Sequence, residues 1–124
     1  MADDGPNRPL MGLRVLLVDD DPMILRSARR MLTRRGSQVL ESRTFDAALE
    51  VAATHQVDAA LVDVRLGTFD GVALARRLRA VQPALRVVLM TGGDPQSVGA
   101  PDDIEVLHKP FGLQRFFDVV GGVV

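Results

Sequence analysis

Ala59-Ala60-Leu61-Val62-Asp63 is a short apolar run that ends on a carboxylate. Three other runs close in the same manner. Val15-Leu16-Leu17-Val18 leads into Asp19-Asp20, Val87-Val88-Leu89-Met90 into Thr91, and Ile104-Glu105-Val106-Leu107-His108 into Lys109. Short apolar runs separated by segments of helical period read as buried strands of a parallel sheet covered on both faces. The carboxyl ends of such strands share one edge, where ligands and chemistry collect. The four polar ends therefore converge on one pocket.

The segments between the runs support this reading. Pro22 opens a first helix, where its missing N–H costs little, and Gly36 supplies the stop. Ile24, Ala28, Met31 and Leu32 fall near one face of it, with Arg26, Arg29, Arg30 and Thr33 mostly elsewhere. Val39-Leu40 is a weak second strand, and Thr44 caps a helix that turns Phe45, Ala48, Leu49 and Ala52 inward. Asp70 caps a third helix that is expected to bury Leu74, Leu78 and Val81 and to leave Arg76, Arg77 and Arg79 largely solvated. Leu113, Phe116, Phe117 and Val120 mark a short final helix ended by Gly121-Gly122.

Residues 92–101 should hold the fourth helix, yet they carry three glycines and two prolines. An interior Gly costs ~1 kcal/mol relative to Ala and Pro ~3, so this helix is expected to be one turn at most or a loop. The predicted fold is thus an α/β three-layer sandwich around a five-stranded parallel sheet with a degenerate fourth helix.

Composition narrows the class. The 124 residues suit one domain, and 47% apolar with 25% charged residues is ordinary globular usage. The net charge of -1 favours neither nucleic acid nor an anionic membrane. There is no cysteine for disulfides or thiolate metal sites, and no apolar run approaches the ~20 residues that span a bilayer. A cytoplasmic protein is the default expectation. Residues 1–11, acidic and broken by Pro6 and Pro9, read as a flexible lead-in to a single domain over 12–124.

Asp19, Asp20 and Asp63 would crowd two or three carboxylates together. Unit charges ~4 Å apart repel by ~1 kcal/mol in water and ~4 at an effective dielectric of 20, so the cluster needs a cation or a proton. Hard oxygen ligands favour Mg²⁺ or Mn²⁺ over zinc. Carboxylates, a divalent cation, a lysine and a threonine hydroxyl together suit the receipt of a phosphoryl group by a carboxylate nucleophile.

These residues resemble a known family. Asp19-Asp20 after the first strand, Asp63 followed by Asp70-Gly71, Thr91, and Lys109-Pro110-Phe111 look like the receiver domain of two-component response regulators, over residues 12–120. The resemblance implies the flavodoxin-like strand order 2-1-3-4-5. It implies that Asp63 is the phosphoacceptor for a histidine kinase or phosphotransfer protein. It further implies that Asp20, Asp63 and the backbone carbonyl of Arg65 bind Mg²⁺, with Asp19 contributing directly or through water. Lys109 would pair with a phosphoryl oxygen, Thr91 would bond another and move toward it, and Pro110 would follow a cis peptide bond. Aspartyl phosphate would be the chain's own modification rather than a turnover product, so no enzyme is expected.

The chain departs from the family in three places. Gly67 stands where proline is usual in the loop after the phosphoacceptor, Val106 replaces the aromatic switch residue, and the fourth-helix segment is short. The family's common output face is therefore altered, and output is expected through protein contact or onward phosphotransfer, with no direct nucleic acid or membrane partner. The oligomeric state is left open. A receiver that binds partners without phosphorylation is the alternative. A phosphohydrolase of the haloacid-dehalogenase type also uses an aspartate after a strand, but it needs a second Asp two residues later, where this chain has Arg65.

Overall fold

Five parallel strands run through the middle of the molecule: β1 (Arg14–Val18), β2 (Gln38–Ser42), β3 (Ala59–Asp63), β4 (Arg86–Thr91) and β5 (Glu105–His108). The computed structural model describes residues 12–66, 69–109 and 113–120. The expected lead-in over 1–11, the Gly67 loop position, Pro110 with its expected cis bond and the Gly121-Gly122 stop lie outside the described residues. The strands pair in the order β2-β1-β3-β4-β5, the expected 2-1-3-4-5. Four helices cover the sheet: α1 (Pro22–Arg34), α2 (Phe45–Thr54), α3 (Gly71–Val81) and α4 (Leu113–Val120).

Successive side chains of a strand point to opposite faces, so each central strand feeds two cores. Leu16, Val18, Ala60, Val62 and Leu89 meet Ala48, Ala52, Leu74 and Leu78 of α2 and α3 on one face. Val15, Leu17, Leu61, Val88 and Met90 meet Leu25, Ala28 and Leu32 of α1 and Phe116 of α4 on the other. This double burial explains why β1, β3 and β4 are continuously apolar in sequence.

Local chemistry sets the helix ends. Asp21 caps α1 by accepting from the Met23 amide at 2.9 Å, and Thr44 caps α2 by accepting from Ala47 at 3.1 Å. At the far end of α1, Gly36 takes a positive φ of 86°. Its amide donates to Thr33 at 3.0 Å and the Ser37 amide to Leu32 at 3.1 Å, the bond pair of a Schellman motif.

The fourth helix is replaced by a single 3₁₀ turn, Pro95–Ser97, as its glycines and prolines led us to expect. Asp94 organises this turn by accepting from the Gln96 amide at 3.0 Å and the Ser97 hydroxyl at 3.3 Å. Val98 and Ala100 then pack beside Ile104 and close the α2/α3 core.

Two side-chain expectations are corrected. Met31 is 42% exposed, because the α1 interior line runs Leu25, Ala28, Leu32 and leaves Met31 on its rim. Val81 is 44% exposed, since it ends α3, and Val72 and Ala75 fill that core instead. Arg79 stays on the surface as expected, where its two terminal nitrogens bond Asp103 at 3.1 and 2.5 Å. One tie was not foreseen from the chain. The Gln82 amide group donates to the Ala52 and His55 carbonyls at 2.7 and 2.6 Å and accepts from Val57 at 3.1 Å, joining the ends of α2 and α3.

Candidate functional site

The parallel register delivers the polar strand ends to one edge. Val18 lies beside Val62, Asp63 beside Met90, and Thr91 beside His108, so the residues at or just past the strand ends stand together. The Lys109 amide donates to the Thr91 carbonyl at 2.7 Å, which carries the β4–β5 ladder one step further and fixes where the lysine starts. Its Nζ then reaches across, donating to Asp63 Oδ2 at 2.9 Å and approaching Asp19 Oδ2 at 3.5 Å. Asp19 and Asp63 are buried, while Asp20 is exposed at the rim.

The carboxylates are held by backbone as well. Asp19 Oδ1 accepts from the Asp21 amide at 2.9 Å, and Asp63 Oδ1 accepts from the Arg65 amide at 3.1 Å. Burial raises Asp19 above the ordinary carboxylate range and the Asp63 charge adds to this, while the Asp21 amide and Lys109 oppose it without prevailing. Burial alone would lower Lys109, but its bond to Asp63 and the charges of both aspartates outweigh burial and hold the ammonium above the usual lysine range. Lys109 is therefore a cation at any physiological pH.

Beyond Asp63 the chain makes a small antiparallel hairpin, Arg65–Leu66 against Phe69–Asp70, in which Arg65 faces Asp70. The Gly71 amide donates to the Val64 carbonyl at 2.6 Å, one bond at the ladder's hydrogen-bonding position, while the Val64 amide donates to the Met90 carbonyl at 2.9 Å. Such positions alternate along an antiparallel ladder, which leaves the Arg65 amide and carbonyl pointing out of it. The amide is the one bonded to Asp63, and the carbonyl is outside the hairpin's own bonding. Gly71 was legible as part of a turn and cap, but its steric role was not. A Cβ on it would overlap the Asp63 carbonyl oxygen and stand 2.7 Å from Val64 Cα.

Asp63, Val64, Arg65, Thr91, Gly92, Gly93 and Lys109 line a cleft of about 380 Å³. Asp19, Asp20 and Asp63 each offer one carboxylate oxygen, and these atoms lie within 4.8 Å of one another. When ionised, three carboxylates against one lysine leave a local charge that a divalent cation neutralises. The donor set is all hard oxygen and fits Mg²⁺ or Mn²⁺. The expected site residues Asp19, Asp20, Asp63, Arg65, Thr91 and Lys109 thus come together; Val106 lies half-buried on β5, facing the α2/α3 core. The Thr91 hydroxyl accepts from the Gly93 amide at 3.0 Å, a local turn contact between residues two apart.

Comparison with known proteins agrees with this geometry. The sequence model of the response regulator receiver domain matches residues 15–120. The transcriptional regulatory protein KdpE of Mycobacterium tuberculosis is 37% identical over 106 residues, which are 82% of this chain and 46% of that protein. The chain thus spans about half the length of the curated relatives it matches. A response regulator receiver protein from Sinorhizobium medicae superposes with a TM-score of 0.79 at 28% identity, covering 91% of this chain and 94% of its own. A response regulator from Burkholderia pseudomallei, solved with a phosphorylated aspartic acid, a calcium ion and citrate, gives 0.77 at 26% identity, covering 87% and 66%.

Proposed function

Because the chain belongs to the response regulator receiver domain family, we propose that Asp63 is its phosphoacceptor, charged by a histidine kinase or a phosphotransfer protein in the cytoplasm. The observation that carries this reading is the lysine bridge: Lys109 Nζ touches both buried carboxylates at the sheet edge, with a divalent-cation triad beside it. In the transfer, an Asp63 carboxylate oxygen forms a bond to phosphorus as the phosphorus–nitrogen bond of the donor's phosphohistidine breaks and the imidazole leaves. A cation on Asp19, Asp20, Asp63 and the Arg65 carbonyl would supply charge neutralisation for the phosphoryl oxygens.

The chain's own groups do the rest. Lys109 is already at Asp63 and follows the negative charge from carboxylate to phosphoryl. The Arg65 amide orients the carboxylate, and Thr91 offers a hydroxyl to a second phosphoryl oxygen. Gly71 allows the backbone of α3 to press against that of Asp63, which keeps the acceptor's strand end in place. The proposed domain is residues 12–124, and the only covalent chemistry proposed for it is gain and loss of this one group. Output is proposed to pass by protein contact or onward transfer, with no direct contact to nucleic acid. Among the described residues no helix is long and apolar enough to cross a membrane.

Intact-mass measurement tests the assignment. With Mg²⁺ and acetyl phosphate or a phosphorylated kinase, the protein should gain one phosphoryl group, and Asp63→Asn should gain none. Equal labelling of the variant would remove Asp63 from the role.

A further inference from the structure

The outer face of the α2/α3 layer carries four exposed charges with no side-chain partner among the described residues. Asp46 and Glu50 belong to α2, Arg76 and Arg77 to α3, and none of the four side chains makes a hydrogen bond or ion pair there. Asp46 stands in the first turn of α2, where the helix dipole favours an acid, but no such reason applies to Glu50. Both helices return from the carboxyl edge of the sheet between parallel strands, so they run side by side in one direction, and Gln82 ties their far ends. Glu50 is the sixth residue of α2 and Arg76 the sixth of α3, so at a rise of about 1.5 Å per residue they stand at similar depth along the layer. The surface around them is small and apolar: Ala53, Ala73, Ala80 and Val81 are all exposed.

An acidic helix beside a basic one selects its partner. A surface of one sign would meet like charge over half of this face, which is unfavourable. A surface carrying the same two helices in exchanged places would meet opposite charge on both. A two-fold rotation about an axis that runs along the helices, between α2 and α3, produces that exchange and keeps the helices parallel, so Glu50 of each copy faces Arg76 and Arg77 of the other. A two-fold across the helices would instead set α2 on α2 and α3 on α3, like charge against like. We propose that the α2/α3 layer is a self-recognition surface on which a second copy of this chain docks, α2 of each copy over α3 of the other. Exposed ion pairs add little strength singly, so here they fix the orientation and the choice of partner. The alanines let the helices approach closely, and Val81 contributes apolar area. None of these residues lines the cleft at Asp63, so the surface is separate from the phosphoacceptor.

The test is sedimentation equilibrium on the whole chain, as wild type and as two charge-reversed variants. Wild type should dimerise with a dissociation constant at or below about 1 mM in low salt, and the dimer should weaken as salt rises. Glu50→Arg, and a second variant carrying Arg76→Glu with Arg77→Glu, should each lose self-association by about tenfold or more, because each sets like charges opposite one another at two symmetric places. Mixed in equal amounts, the two variants should recover a dimer, since each supplies the charges that the other has reversed. A wild type still monomeric at about 1 mM in low salt overturns the proposal. So does a variant that dimerises as well as wild type, or a mixture that recovers no dimer. If a variant does not fold, amide NMR shifts of wild type across the same concentration range decide: they must fall on the outward residues of α2 and α3, and shifts placed elsewhere overturn the proposal.

Discussion

Lys109 Nζ stands 2.9 Å from Asp63 Oδ2 although the two residues are 46 positions apart in the chain. The lysine also approaches Asp19, so with no metal or phosphate bound it serves as a cation for both buried carboxylates. Lys109 and a divalent cation therefore share one set of carboxylates, and removing the lysine should make stability more dependent on metal.

Lys109→Met should lower stability in metal-free buffer by about 1–3 kcal/mol, because Asp19 and Asp63 lose a charged, partly buried hydrogen-bond partner. Saturating Mg²⁺ should recover much of that deficit by mass action and shift the variant more than the wild type. Urea unfolding of both proteins with and without Mg²⁺ checks this. An identical Mg²⁺ shift in the two proteins counts against a shared site.

The raised Asp19 implies a pH dependence of definite sign. Its folded value lies above the ordinary 3.8, so between those values the native state holds more protons than the unfolded state. Stability from this group therefore declines as pH rises from 3.8 through its folded value. Asp19→Asn removes that slope, so the stability of wild type minus variant should fall as pH rises through the window in metal-free buffer. Lys109 acts at the other end: its contribution is complete below 10.5 and is lost as pH climbs through its higher folded value. Urea midpoints across a pH series read both, and a wild-type-minus-variant difference that rises with pH would reverse the sign argued for Asp19.

Gly71→Ala forces a methyl group against the backbone of Asp63 and Val64. Overpacking of this kind costs typically 1–3 kcal/mol, and here it also displaces the Asp63 strand end. The variant should melt lower and accept phosphate from acetyl phosphate more slowly. Unchanged melting and labelling would show that the hairpin gives way without consequence.

Ser42 ends β2 with a buried hydroxyl that has no hydrogen-bond partner among the described residues. It occupies the same register position as Val18, on the face of the α2/α3 core. Ser42→Ala removes the unpaired group and should stabilise the protein by about 1 kcal/mol. A loss of stability in urea unfolding would mean that the hydroxyl is satisfied in solution.

The strands and site were readable because the relevant signals are local and periodic. Asp63 and Thr91 each end an apolar run, Asp19-Asp20 and Lys109 follow one directly, and Thr44 and Asp70 stand where helix caps belong. Met31 and Val81 were misplaced for a different reason. A 3.6-residue period identifies an apolar stripe but not its edges or where the neighbouring layer stops, and these two residues lie at those limits.

Residue order sufficed for the parallel sheet, the loss of the fourth helix and the identity of the polar groups at the carboxyl edge, since strand burial, helix propensity and side-chain chemistry are properties of short segments. Tertiary packing was needed for the Lys109 bridge to two aspartates, the pressure of Gly71 on Asp63 and the Gln82 clasp. These depend on distances between backbone atoms and on the register of strands that are remote in the chain, and nothing in the side-chain pattern encodes such distances.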